Sequence, residues 1–255
     1  MRLKTLLAVL IVSLASATCV EARDWNYTLT TGVLSKYLVK PGFSAHNKPI
    51  FVNDLTISGD NWYFGIWNST GIFDGVVGKD FGDETDLYVG WQKKLEQIRI
   101  DLRLSYFMLT EIDEFNNDLW IFDGRVDFVK IPFVIPHVAV RYFGDTGKWS
   151  PQHGWFVWPG AYKTFPMSFH FLGRRWDTPL TLDAKLAFAL DNPFGGSNGF
   201  TYAQIGASFK IPVRENISLI PSLLWHIPNG GIPQLGKAAV NKHQLVYGMQ
   251  VQFRF

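Results

Sequence analysis

Acid–base chemistry needs a nucleophile and a base within reach, and the chain offers few pairs. Its histidines are His46, His137, His153, His170, His226 and His243. None lies in a Gly-x-Ser-x-Gly elbow or a His-Glu-x-x-His helix motif. The closest approach to a catalytic pair is Ser222 with His226, four residues apart. On an extended strand they share a face but stand on the order of 13 Å apart, too far for a base to take the hydroxyl proton. The segment Asp145 to Tyr162 carries His153, Trp149, Trp155 and Trp158 among Gly and Pro, which suits a glycan or a lipid headgroup and equally an interfacial anchor. Asp80-Phe81-Gly82-Asp83-Glu84 with Asp86 is an acidic cluster that reads as a solvated loop and falls short of a divalent-cation site. The expectation is a non-enzyme with no cofactor and no metal.

A different kind of chemistry sits in two neighbouring segments. One carries Arg99, Asp101 and Arg103, the other Asp123, Arg125 and Asp127, each at alternate positions. An antiparallel hairpin that opposes Arg99 to Asp127 also opposes Asp101 to Arg125 and Arg103 to Asp123. Opposite charges facing one another favour a register by tenths of a kcal/mol up to about one each. Arg141 extends the ladder from Asp127, and Asp86 on the preceding segment reaches Arg103. Such a ladder either satisfies itself in a narrow interior or lines a water-filled passage. Neither sign dominates it, which argues against strong charge selection.

The elements that hold these residues are strands. In the segment Gln244 to Phe255, Leu245, Tyr247, Met249, Val251, Phe253 and Phe255 share one face, and polar residues with Val246 share the other. The same alternation recurs at Ile98 to Tyr106 and at Thr181 to Asp191, as half-polar strands require. About twelve segments follow this pattern: 25–38, 48–58, 61–70, 84–93, 97–109, 118–130, 135–144, 162–173, 178–191, 199–211, 216–227 and 243–255. Many match the ~9–11 residues of a tilted membrane-spanning strand. Short connections (Gly59-Asp60, Lys94 to Glu96, around Pro132, Arg174 to Asp177, Pro212 to Glu215) alternate with longer ones (39–47, 71–83, 110–117, 145–161, 192–198, 228–242). Tight turns at one rim and long external loops at the other are the habit of bacterial barrels.

Composition supports this reading. Aromatic residues make up 16% of the 255 positions, with ten Trp and nine Tyr, a load that suits membrane interfaces. Mean hydropathy is only +0.03. Outside the N-terminus no run reaches the ~20 apolar residues of a spanning helix. A net charge of +2 without a basic block excludes a nucleic-acid partner. Arg2 and Lys4, then an apolar run from Leu6 to Leu14 and small residues, have the order of a secretory signal peptide. Cleavage fits after Ala17 or after Ala22. The second leaves a barrel domain over 23–255 and removes Cys19, the one cysteine.

The N-terminal third carries Thr31-Gly32-Val33-Leu34-Ser35-Lys36-Tyr37-Leu38, Pro41-Gly42-Phe43, Trp62 to Ser69 and Glu84 to Trp91. In these residues it resembles the uncharacterised TorF family of bacterial outer-membrane proteins. The resemblance implies a barrel and no defined activity. The end of the chain also resembles the signal read by the outer-membrane assembly machinery, with Tyr247, Met249, Val251, Phe253 and Phe255 as the recognised face.

The expected fold is therefore all-β: a transmembrane antiparallel up-and-down barrel of about twelve strands behind a cleaved signal peptide. The expected function is a narrow porin-like channel or passive barrel in the outer membrane, meeting lipid, lipopolysaccharide and possible small solutes or ions. An outer-membrane enzyme acting on lipid or glycan, and a secreted soluble β-sandwich, are the alternatives.

Overall fold

The computed structural model describes residues 25–38, 40, 44–72, 83–110, 119–144, 153–171, 173–192, 197–229 and 242–255. The proposed signal peptide lies outside them. The strands are β1 (Asn26–Leu34), β2 (Tyr37–Leu38), β3 (Ser44–His46), β4 (Ile50–Gly59), β5 (Trp62–Gly71), β6 (Asp83–Lys94), β7 (Ile98–Thr110) and β8 (Leu119–Phe128). They continue with β9 (Ile135–Gly144), β10 (Gly154–Phe171), β11 (Arg174–Leu190), β12 (Gly199–Phe209), β13 (Ile211–Arg214), β14 (Ile217–Pro228) and β15 (Gln244–Arg254). Antiparallel pairing runs in sequence order, and β15 returns to β1 while β12 pairs with β14. The result is a closed barrel of 12 strands, with β2 and β3 forming a separate ribbon and β13 prolonging β12. A single closed sheet rules out the two-sheet sandwich, and it leaves no open edge to aggregate.

Alternation decides which face looks where. Leu102, Leu104, Phe122, Val138, Leu182, Leu186, Ile205 and Leu223 are exposed on the outside, and the charged partners of the same strands point in. A soluble barrel would show the opposite polarity. An apolar outer wall belongs in hydrocarbon, where every backbone group must be paired within the sheet. Aromatic pairs gather near the long-loop rim, with Tyr106 and Trp120 centred 4.8 Å apart and Tyr142 and Trp155 4.7 Å apart. Trp62, Tyr27 and Phe255 stand outside at the opposite rim, where the Tyr27 and Phe255 backbones hydrogen-bond to one another. These are the two interfacial belts of a spanning barrel.

Four expectations need correction. First, residues 154–161 belong to β10, although Gly154, Pro159 and Gly160 read as loop. Pro159 faces Val138 of β9, and the pairing with β11 skips from Val157 to Gly160, so the missing N–H falls where no ladder bond is made. Second, Arg174 to Asp177 is strand. The turn has moved to Gly173, whose φ of +72° favours glycine. Strands β10 and β11 are thereby 18 and 17 residues long. Because β9 stops at Tyr162 and β12 at Leu180, the tip of this hairpin runs past the short-turn rim.

Third, the connection 39–47 is not an external loop in its described part. Tyr37 faces His46 in the β2–β3 ribbon, and this segment folds into the barrel mouth. Tyr37 packs against an interior apolar cluster of Leu119, Ile121, Phe143, Phe156, Trp158 and Tyr202, and its ring lies 5.5 Å from Trp67. His46 is buried. The long-loop end of the barrel therefore has a small hydrophobic core of its own. Fourth, the acidic cluster is not solvated in its described part: β6 begins at Asp83, and Glu84 lies on its inner face and is buried beside Asp86, which the expected strand 84–93 already placed in the lumen. Residues 80–82 lie outside the described residues.

Candidate functional site: the charged lumen

Below the apolar mouth the lumen wall is charged, and strands β6 to β9 carry most of the charge. In β7 and β8, Arg99 faces Asp127, Asp101 faces Arg125 and Arg103 faces Asp123. Facing in register is not the same as bonding. Only the first of these pairs closes directly, through Arg99 Nε to Asp127 Oδ2 at 2.8 Å. Arg125 turns along its own strand and donates to the other oxygen of Asp127 at 2.6 Å. Asp127 is thus held by two guanidinium groups and almost fully enclosed.

Asp123 finds its partner on the other side. Arg141 of β9 faces it and donates through Nε and Nη2, both at 2.7 Å, a planar two-point pair. This corrects the expectation that Arg141 continues the ladder from Asp127, whose facing residue on β9 is His137. The register of β8 on β9 sits two pairs away from the one charge matching suggested. Arg103 donates to Ser105 on its own strand at 2.8 Å. Its guanidinium lies over the Tyr88 ring at 4.1 Å, with Asp86 3.8 Å away. Asp86 is therefore within reach of Arg103.

Sequence reasoning missed two tyrosines that organise the adjoining wall of β5 and β6. Tyr63 of β5 faces Gly90 of β6, and Tyr88 of β6 faces Gly65 of β5. A Cβ at Gly90 would stand 2.1 Å from Tyr63, and one at Gly65 would stand 2.5 Å from the Tyr88 hydroxyl. Each ring thus lies flat over the glycine of the neighbouring strand. This posture carries the Tyr63 hydroxyl to Asp101 at 2.6 Å and the Tyr88 hydroxyl to Asp54 of β4. Asp101, which faces Arg125, is bonded by a tyrosine instead. The reciprocal order Tyr-x-Gly in β5 and Tyr-x-Gly in β6 was the available signal.

A second overlooked residue is Lys40, from the inserted segment. Its Nζ lies 3.5 Å from Asp123, beside the Arg141 pair. The backbone carbonyl of Lys40 accepts from the Tyr202 hydroxyl, which in turn accepts from Trp158 Nε1 at 2.7 Å. Withdrawal from bulk water pushes the Lys40 ammonium down to about 7, as do Arg141, Arg103 and Lys185, against the pull of Asp123.

The remaining candidates are placed as follows. Ser222 and His226 both face inward on β14, and His226 Nδ1 lies 3.2 Å from Gln204 Nε2, so no nucleophile–base pair forms. Trp158 points inward and Trp155 outward; Trp149 lies outside the described residues. Tyr247, Met249, Val251, Phe253 and Phe255 share the outer face of β15, with Tyr247 and Met249 well exposed. No group of three or more metal-ligating side chains occurs among the described residues.

No family model and no curated protein matches the sequence. Solved structures do match in shape. The chain resembles a NanC porin with a TM-score of 0.52 at 11% identity, over 89% of this chain and 98% of that one. It also resembles a structure titled "Bacterial polysaccharide outer membrane secretin" with a TM-score of 0.51 at 12% identity, over 92% and 100%. At such identities the likeness is one of fold: the chain has the architecture of these outer-membrane barrels.

Proposed function

We propose that this chain is a bacterial outer-membrane protein that acts as a narrow, porin-like channel. The observation that carries the reading is the inverted polarity of the wall. Apolar residues face out along the strands, and a charged lumen runs from the β2–β3 ribbon to the short-turn rim. A barrel serving only as a membrane anchor needs no water-facing arginines, and Arg99, Arg103 and Arg125 all keep part of their surface open to the lumen. The likeness in shape to a NanC porin supports the same reading. The N-terminal residues 1–22 would then be the export signal, and the outward face of β15 the surface that the assembly machinery reads. The TorF-type resemblance adds a family setting and no specific activity.

With twelve strands the barrel is wider than the filled eight-stranded type and narrower than the 16–18-stranded porins. The inserted segment narrows it further at the long-loop end, which fits a conduit for small solutes. Reconstitution of the folded protein into planar bilayers tests this. Discrete conductance steps are expected, together with a heat-modifiable band from detergent-extracted outer membranes. A folded barrel without conductance above background would refute the channel reading.

A further inference from the structure

Counted by sequence, the lumen charges nearly balance. Counted by what water touches, they do not. The carboxylates sit at the wall behind their partners: the Asp127 side chain is 1% exposed, Asp86 10% and Asp123 16%. The cations project past them, with Lys40 51% exposed, Arg99 44% and Arg125 38%. The nearest other acids, Asp101, Asp54 and Asp183, are half-buried; the first two each accept a tyrosine hydroxyl, and Asp183 lies close to Lys185.

The asymmetry has a plain cause. An Asp carboxylate is one carbon from the backbone and stays at the wall. Lys and Arg reach several carbons further, and their stems cover the wall while the charged head keeps to water. The three exposed cations are also ordered along the pore. Lys40 stands at the level of Asp123, Arg125 is two residues down β8, and Arg99 is at the level of Asp127. Arg125 turns down its strand, so both it and Arg99 close on Asp127, four residues along β8 from Asp123, and the positive groups form two stations roughly 13 Å apart.

We propose that Lys40, Arg125 and Arg99 form an anion-binding track in the lumen, suited to small organic anions carrying more than one carboxylate. The inference deepens the channel reading and rests on it for transport, but binding at the track does not require conduction. A low-dielectric barrel lined by one accessible sign concentrates counter-ions of the other. At Asp127 two guanidinium groups stand side by side, so two carboxylates of one solute can each meet a cation. Arg103 and Arg141 add field at the level of Lys40 without projecting as far, since Arg141 is occupied by Asp123.

The test uses the full mature barrel folded in detergent and in planar bilayers, with potassium chloride and citrate as probes. Under a tenfold salt gradient the reversal potential should report chloride over potassium by at least about threefold, the scale of a single unscreened charge at 7 Å. Calorimetric titration with citrate should give saturable heat. Lys40→Gln and Arg125→Gln should each lower both readings, citrate affinity by about tenfold in the double variant. Lys130→Gln, at a short turn where Lys130 pairs with Glu96, should change neither. Arg99 still holds Asp127 in Arg125→Gln, so folding is preserved, and the two measurements on the unaltered chain need no variant. Potassium preference, or citrate heat indifferent to Lys40 and Arg125, would overturn the anion track and leave the channel intact. Absence of conductance would refute the channel, and citrate binding would still decide the track.

Discussion

Tyr202→Phe is the sharpest probe of the inserted segment. The residue is fully buried, and its hydroxyl joins two groups: it accepts from Trp158 Nε1 and donates to the Lys40 carbonyl. Phenylalanine keeps the ring, which lies 4.7 Å from His226, so no cavity opens. Two separable costs follow. Trp158 is left as a buried donor without an acceptor whether the segment is in or out, which lowers overall stability by about 1–3 kcal/mol. The Lys40 contact exists only while the segment is inserted. Losing it, with lumen water replacing the donor, removes about 0.5–1.5 kcal/mol, a typical net hydrogen bond. At 1.4 kcal/mol per factor of ten, the withdrawn population rises about two- to twelvefold. Trypsin cleavage after Lys36 in the folded barrel should accelerate by that factor, because proteolysis of a fast-opening segment tracks its open population. The urea midpoint should fall in parallel. A lowered midpoint with unchanged cleavage would refute the claim that Tyr202 holds the segment in place.

Asp127→Asn should destabilise the barrel more than Asp101→Asn, by roughly 2 kcal/mol, because it strips two arginines of a buried partner. Equal urea midpoints for the two would contradict the bonding described. Chloride preference should weaken as pH rises through about 7, where Lys40 loses its proton among Asp86, Arg103, Asp123, Arg141 and Lys185. Lys40→Arg should remove that dependence, since a guanidinium stays charged; a pH profile identical in the two proteins would assign it to another group. Gly65→Ala should lower urea stability by about 1–3 kcal/mol, because its Cβ would meet the Leu55 carbonyl oxygen at 2.2 Å as well as the Tyr88 hydroxyl at 2.5 Å, and pairing it with Tyr88→Phe should not restore the loss. Replacing Pro166 to Pro179 by Asn-Gly should leave a heat-modifiable barrel, because β9 and β12 pair only above that tip. A failure to fold would mean that the tip contributes to closure.

The sequence by itself determined the class of fold, because a period of two is a local property. Each of β7, β11 and β15 declares an apolar and a polar face without reference to its neighbours, and the closed barrel follows once every apolar face must meet lipid. It also determined the β7–β8 register, because a hairpin joins those strands and three opposite charges fall into line together. The β8–β9 register could not be read the same way. Charge matching joined Arg141 to Asp127, and only the tertiary structure sets it against Asp123. The inward placement of Tyr37 and Lys40 was equally out of reach, since their contacts are with Phe156, Trp158 and Tyr202, more than a hundred residues away. Exposure was the last thing the tertiary structure decided. Counting charges predicts a neutral lumen, but side-chain length sets which charges water meets, and at Lys40, Arg99 and Arg125 those are positive.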